Sequence, residues 1–527
     1  MSKKVGPFGI SKRQYKLHYD LHSWTGIVAG LVIFVVCLSG SVAIVEHELA
    51  TWEQPELRLE PASNPQPIGD LVALAMAEVD PRARAEPSPA PGEEGGEEAQ
   101  RTDSRVFLEL PSESHPTLSA SFFEDGKWHY KHWDPANGEQ IEVGESALSF
   151  HTGLHTHLQL PVIGRMLVGF AGLFLMISII SGVAAHPQLV REIFLLRWRP
   201  SLRMSFSDLH KQVGTWSLLF GGMLSFTGAL LGLFTLFAPV MVLSAFGGDL
   251  DKAVEAFSGK SQEFVGETAD MLPIGPLVED FEAQHPGYEV SRLVLTHYGD
   301  QAAEITLDLA EAPQRTLDAP ESHRLSLVTG ETLYVQTFNG RGIGARLMSL
   351  TSLLHFGTFG GGFLKLLYFV SGLLLTLCVG SGLYLWLERR RRERADLRSF
   401  QILERLILGV CIGQVLATCV SIGAARVSGL QAATVFFAVW VGYVALLFAV
   451  PRLRFMVRAG GLASAAALGG VAAYDLVTAD FWFARSLPVD ASLLVLAVLL
   501  AACFAFVPAR KSTRVSSEPS RDLTRAA

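Results

Sequence analysis

Asp20-Leu21-His22-Ser23-Trp24-Thr25-Gly26 leads into an apolar run that closes at Ser39-Gly40. Asp208-Leu209-His210-Lys211-Gln212-Val213-Gly214 leads into a second run that closes at Thr227-Gly228. The two histidines, the two first glycines and the two closing glycines are all 188 residues apart. A second pair follows a frame of its own. Leu154-His155 precedes a run containing Gly172 and closing at Ser181-Gly182, and Leu354-His355 precedes one containing Gly372 and closing at Ser381-Gly382. That offset is 200 throughout, and Arg165 and Lys365 keep it too. Polar side chains near hydrocarbon are costly and usually carry function. Four histidines in two fixed frames describe a duplicated unit, each copy a pair of spans with a histidine heading each span.

The rest of the chain reads as a polytopic membrane protein, mainly α-helical. Of its 527 residues 18% are charged, below the roughly 25% of soluble proteins. Apolar windows long enough to cross a bilayer of about 30 Å fall near 23–45, 162–184, 214–243 and 364–387, then near 403–423, 430–450, 459–478 and 491–508. Basic residues mark the ends of the even-numbered spans: Arg191 to Lys211, Arg389 to Arg392, Arg452 to Arg458, and Arg510 with Lys511. Lys3, Lys4, Lys12, Arg13 and Lys16 precede the first span. By the positive-inside rule this predicts a multi-pass membrane protein with both termini cytoplasmic. The long polar lead and long apolar run mark the first span as retained rather than a cleaved signal.

Two stretches of about a hundred residues would be exported. In 46–150, Ile68–Val79 is helix-like, and Val106–Leu110, Thr117–Phe123 and Trp128–Trp133 alternate as strands before the turn Asn137-Gly138-Glu139. In 244–345 a helix near Pro276–Gln284 precedes strand-like Val290–Thr296, Ala303–Leu309 and Arg324–Val328, then Thr329-Gly330-Glu331 and one further strand. Residues 83–102, rich in Pro, Glu, Gly and Ala, are expected to be a disordered insertion. The expected order is a cytoplasmic lead and first span (1–45), a first periplasmic domain (46–150), then the second span, a loop and the third span (151–243). A second periplasmic domain (244–345), the fourth span with its basic run (346–396), four C-terminal spans (397–510) and a cytoplasmic tail (511–527) follow. The last four spans offer no evident chemistry.

Topology pairs the histidines. His22 and His210 head outgoing spans and share the cytoplasmic face, while His155 and His355 head returning spans and share the periplasmic face. Two histidines facing across a helical bundle can hold a b-type haem by its two axial positions. The competing readings are interfacial histidines inherited by duplication and zinc, which lacks a cysteine or carboxylate at ligand spacing. His151, four residues before His155, is an alternative ligand or a supporting group. His115, His129, His132, His285, His297 and His323 read as ordinary surface residues. The five cysteines form no C-x-x-C pair, which leaves out covalent c-haem. A net charge of −8 does not suggest nucleic-acid binding. Gly340-Arg341-Gly342-Ile343-Gly344 lacks the βαβ setting of a dinucleotide site, so electrons would arrive from elsewhere.

These features resemble the PepSY-associated transmembrane proteins of bacterial inner membranes. The likeness rests on Leu21-His22 to Gly40, Leu154-His155 to Gly182, Asp208-Leu209-His210 to Gly228, and His355 through Trp386 and the arginines. The turns at Asn137-Gly138-Glu139 and Thr329-Gly330-Glu331 look like those of PepSY domains. It covers residues 10–395, and the four-span tail resembles longer reductases of the ferripyoverdine type. The resemblance implies a pseudo-symmetric four-helix bundle with two haem b groups on His22, His210, His155 and His355. It also implies two periplasmic α+β domains and an oxidoreductase releasing iron from ferric siderophores. The electron donor would be a quinol or a cytoplasmic reductase, and other iron-uptake membrane proteins are candidate partners. A non-enzymatic PepSY-type binding, regulatory or assembly role is the alternative.

Overall fold

The computed structural model describes residues 10–505 apart from 61–65, 80–104, 113–114, 125–126, 145, 187, 190, 196, 198–201, 287, 312–321, 338–341, 429 and 479–482. The insertion at 83–102 and the tail at 511–527 lie outside the described residues.

Each histidine-headed run folds as two helices with a break between them. Helix α1 (Lys12–Val28) is started by a capping box in which Ser11 and Gln14 satisfy each other's backbone. It bends by 67° into α2 (Gly30–Ala43). The expected straight span over 23–45 is therefore a bent pair. Its apolar limb has fourteen residues, about 21 Å of helix. Helix α3 (Glu46–Glu53) and helix α4 (Ile68–Ala77) follow. After strands β1 (Arg105–Glu109), β2 (Leu118–Glu124), β3 (Lys127–Trp133) and β4 (Gln140–Ile141) come α5 (Ala147–His157) and α6 (Pro161–Ala184). Leu158 and Gln159 turn the chain there with φ of 51° and 58°, and Pro161 restarts the helix with its φ already set.

The second copy repeats this order. Helices α7 (Leu202–Trp216) and α8 (Leu218–Phe246) are followed by α9 (Leu250–Ser258) and α10 (Ile274–Gln284). Strands β5 (Tyr288–Thr296), β6 (Glu304–Glu311), β7 (Ser322–Ser326) and β8 (Thr332–Gln336) lead to α11 (Ile343–Phe356) and α12 (Gly361–Arg394). Between those two helices Gly357 takes φ 65°, a left-handed turn that glycine makes without strain. The chain ends in α13 (Arg398–Ser428), α14 (Ala432–Ala449), α15 (Leu453–Val477) and α16 (Phe483–Ala505). Among the described residues seven helices are long and apolar enough to cross a membrane, or eight where the bent α1–α2 pair counts as one span.

Packing is reciprocal. Helices α2, α12, α8 and α6 form a closed ring in that order, with α13 against α2 outside it. Within each copy the short lead helix of one span lies on the other span: α1 on α6, α5 on α2, α7 on α12 and α11 on α8. Glycines bring α6 and α8 together, since a Cβ on Gly232 would stand 2.6 Å from the Gly169 Cα. Small residues are the usual means of close helix contact in lipid.

The two stretches expected to be exported are not two separate domains. Their strands form one eight-stranded antiparallel sheet in the order β4-β3-β2-β1-β5-β6-β7-β8. The join is β1 with β5, in register from Arg105 opposite Thr296 to Glu109 opposite Arg292. Val106 and Leu108 alternate inward with Leu118, Ala120, Leu293, Leu295, Ile305 and Leu307 in a single apolar core. Helices α4 and α10 cross at Gly69 and Gly275, whose backbones approach closely. Both β1 and β5 lack a second partner within their own half, so each would present a bare sheet edge alone. Joining them removes both edges.

Candidate functional site

The structure brings the four histidines together in the two expected pairs. The ring centres of His22 and His210 are 5.9 Å apart, and those of His155 and His355 are 6.1 Å apart. The lead helices aim them inward and the closing glycines make room. A Cβ on Gly182 would stand 3.0 Å from His22, on Gly40 2.6 Å from His155, on Gly382 3.1 Å from His210 and on Gly228 3.0 Å from His355. Each repeated glycine thus seats the histidine of its companion span.

The same turns fix the rings. His22 Nδ1 is 2.8 Å from the Ser178 carbonyl, His155 Nδ1 2.8 Å from that of Val36, and His210 Nδ1 2.9 Å from that of Cys378. These carbonyls belong to the residues four before Gly182, Gly40 and Gly382. The fourth copy differs: His355 Nδ1 meets Thr227 Oγ1 at 2.9 Å, and that hydroxyl donates to the Met223 carbonyl. A carbonyl only accepts, so Nδ1 carries the proton and Nε2 keeps its lone pair. Among the described residues no hydrogen bond reaches Nε2 of any of the four. That is the arrangement metal-ligating histidines adopt, with the second nitrogen oriented by a backbone acceptor.

Spacing tests the fit further. A metal–nitrogen bond of about 2 Å on each side, plus roughly 1 Å from nitrogen to ring centre, puts the two centres about 6 Å apart. Both pairs match that separation. Among the described residues no group of three or more His, Cys, Asp or Glu is placed to hold a metal ion. A pair is enough only where a macrocycle fills the remaining positions. Glycine's part here is mixed. Gly26 and Gly362 face open space, whereas Gly357 abuts Tyr368 and Gly214 abuts Cys378.

His151 is not opposite His355. It is fully buried, with Nε2 3.2 Å from Ser421 Oγ on α13. The residue that α5 sets opposite His355 is His155.

A cavity of about 1270 Å³ runs from between the four ring helices past His155 and His355 to the sheet, where Glu109, His115, Tyr130 and His132 line it. Arg165 and Lys365, the repeat-related cations, line its membrane part. His132 is therefore not the ordinary surface residue expected from the sequence. Its Nδ1 is 2.9 Å from Ser119 Oγ. Burial, with His115 nearby, pulls its pKa down to about 4 against the opposing pull of Glu109. His129 stacks on Phe122 on the other face of β3. His297 and His323 are buried too.

The family description PepSY-associated TM region matches residues 19–389, a span holding all four histidines and all eight strands. The chain belongs to the PepSY-associated transmembrane family. An uncharacterized protein of Pseudomonas aeruginosa is similar to it, with 31% identity over 281 residues, 51% of this chain and 70% of the relative. The PepSY-associated core ends before α13, so the last four spans are an addition to it. They hold a buried ion cluster that sequence reading missed. Asp475 on α15 binds Arg58, just after α3, at 2.9 Å and also Arg426 on α13. Nearby, Trp52 Nε1 donates to Asp490 at 3.0 Å. An aspartate late in an alanine-rich span was the available signal.

Proposed function

We propose that this PepSY-associated protein is a di-haem electron conduit of the bacterial inner membrane that reduces a ferric siderophore on the exported side. The observation that carries the reading is the pair of histidine pairs, each about one haem ligation apart, with every Nδ1 bonded and every Nε2 left over. His22 with His210 and His155 with His355 would hold two non-covalent b haems. Arg165 and Lys365 would meet propionates at the second. When bound, such a group supplies a one-electron Fe(III)/Fe(II) couple.

The chain's own residues do the rest. The closing glycines seat the rings, the carbonyls of Ser178, Val36 and Cys378 hold their tautomer, and the apolar ring of spans keeps water out. Basic clusters at the ends of the even spans support an orientation with His22 and His210 on the cytoplasmic side. Electrons would enter there from a quinol or a cytoplasmic reductase. The cavity between His155, His355 and the sheet is where a ferric chelate would sit. Fe(II) is held less tightly than Fe(III) by hard oxygen donors, so reduction favours release to the uptake machinery.

Full-length protein in liposomes loaded with reductant tests the reading, with a ferric hydroxamate outside and a ferrous-specific chelator as trap. Fe(II) should appear at a rate several-fold above empty liposomes. The same rate in both would overturn the proposal and leave a binding or assembly role.

A further inference from the structure

Helix α13 carries a polar stripe that the histidine pairs leave unused. Gln414, Thr418 and Ser421 recur on one helical face and are 0%, 6% and 0% exposed. The stripe faces α2 and α5. Gln414 Nε2 donates to the Val35 carbonyl at 3.1 Å, next to the Val36 carbonyl that orients His155. Ser421 bonds His151, one helical turn before His155. Four buried polar atoms in this seam have no partner among the described residues: Gln414 Oε1, Thr418 Oγ1, His151 Nδ1 and Trp440 Nε1. His151 and Trp440 both pack on Phe436, with ring centres 5.5 and 5.3 Å away, so the orphans line one continuous seam.

Orphaned polar atoms in an apolar seam are strongly unfavourable, and four along one seam ask for one kind of partner. Their chemistry identifies it. Trp440 only donates, Gln414 Oε1 only accepts, and Thr418 and His151 can do either. A metal ion or an anion would suit one sign alone, and a lipid tail would suit neither. Water takes two to four such bonds and serves buried groups in this way.

We propose that the seam where α13 and α14 meet the α2/α5 face holds a row of internal waters, bound along it by Gln414, Thr418, His151 and Trp440. This gives the C-terminal extension a role beyond packing: it hydrates one flank of the sheet-side histidine pair.

Millisecond hydroxyl-radical labelling of the intact protein in lipid nanodiscs tests this, because radicals formed from bound water oxidise neighbours that bulk reagent does not reach. Residue-resolved mass spectrometry should find oxidation at buried His151 and at least a three-fold drop in Gln414→Leu. Absence of oxidation at His151 in the unsubstituted protein would overturn the proposal, as would labelling unchanged by the substitution. Thr418→Val gives a second readout through the sign of its effect. With water present the isostere loses bonds and lowers the melting temperature, whereas in a dry seam it removes an orphan hydroxyl and raises it.

Discussion

The His155 ring rests directly on Gly40: a Cβ at that glycine would stand 2.6 Å from Cε1 and 2.7 Å from Nδ1. No real Cβ sits that close, so Gly40→Ala must push the imidazole or part α2 from α5. Overpacking of this kind costs about 1–3 kcal/mol. A lower melting temperature is expected, with any spectral change confined to the His155/His355 pair. Gly182→Ala is the control, acting on His22 at a looser 3.0 Å. Equal effects of both substitutions on both pairs would refute the assignment.

The continuous sheet makes a mechanical prediction. Leu108 is fully buried on β1 and pairs with Leu293 on β5. Truncation to Ala should cost about 2–5 kcal/mol and loosen both halves. Hydrogen exchange should rise in β2 and in β6 together. Faster exchange in β2 alone would mean that the two halves fold as separate domains.

His132 gives the sheet region a pH slope. Its pKa is lowered by burial to about 4, while an unfolded histidine titrates near 6.5. Between those values the unfolded chain binds a proton that the folded one does not. The stabilisation is therefore complete above about pH 6.5 and is lost as pH falls towards 4, a change of at most about 3 kcal/mol. Thermal melts from pH 7 to pH 4.5 should show it, and His132→Gln should flatten the slope. An unchanged slope in that variant would remove His132 as its source.

Asp475 anchors the C-terminal spans to the segment after α3. With Arg58 and Arg426 both on one carboxylate, Asp475→Asn strands two buried guanidinium groups. Breaking such a cluster costs about 3–5 kcal/mol. The variant should melt well below the parent, or lose α13–α16 to protease first. A shift within about 0.5 kcal/mol, the size of a neutral surface change, would show that the cluster carries no weight.

Much of this was legible before any coordinates. Constant offsets identified the duplicated unit, and topology paired His22 with His210 and His155 with His355. Strand alternation located β1 to β3 and β5 to β7 within two or three residues. Other features depend on contacts that leave no local mark. The β1–β5 join links residues almost two hundred apart, and alternation looks the same in one sheet as in two. Gly40, Gly182, Gly228 and Gly382 were visible as repeat markers, yet nothing local told that each seats a histidine from another helix. The bend at Ala29 was hidden because hydropathy averages over it. Asp475 looked like a stray polar residue of the last spans until packing brought Arg58 and Arg426 to it.

Haem content of the purified protein is the most direct test of the central claim. The unsubstituted chain should carry two low-spin b haems per polypeptide, and His22→Ala, His155→Ala, His210→Ala and His355→Ala should each retain one. His151→Ala should retain both. Absence of a Soret band from protein made in haem-replete cells would contradict the account, as would two low-spin haems persisting in any of the four pair variants.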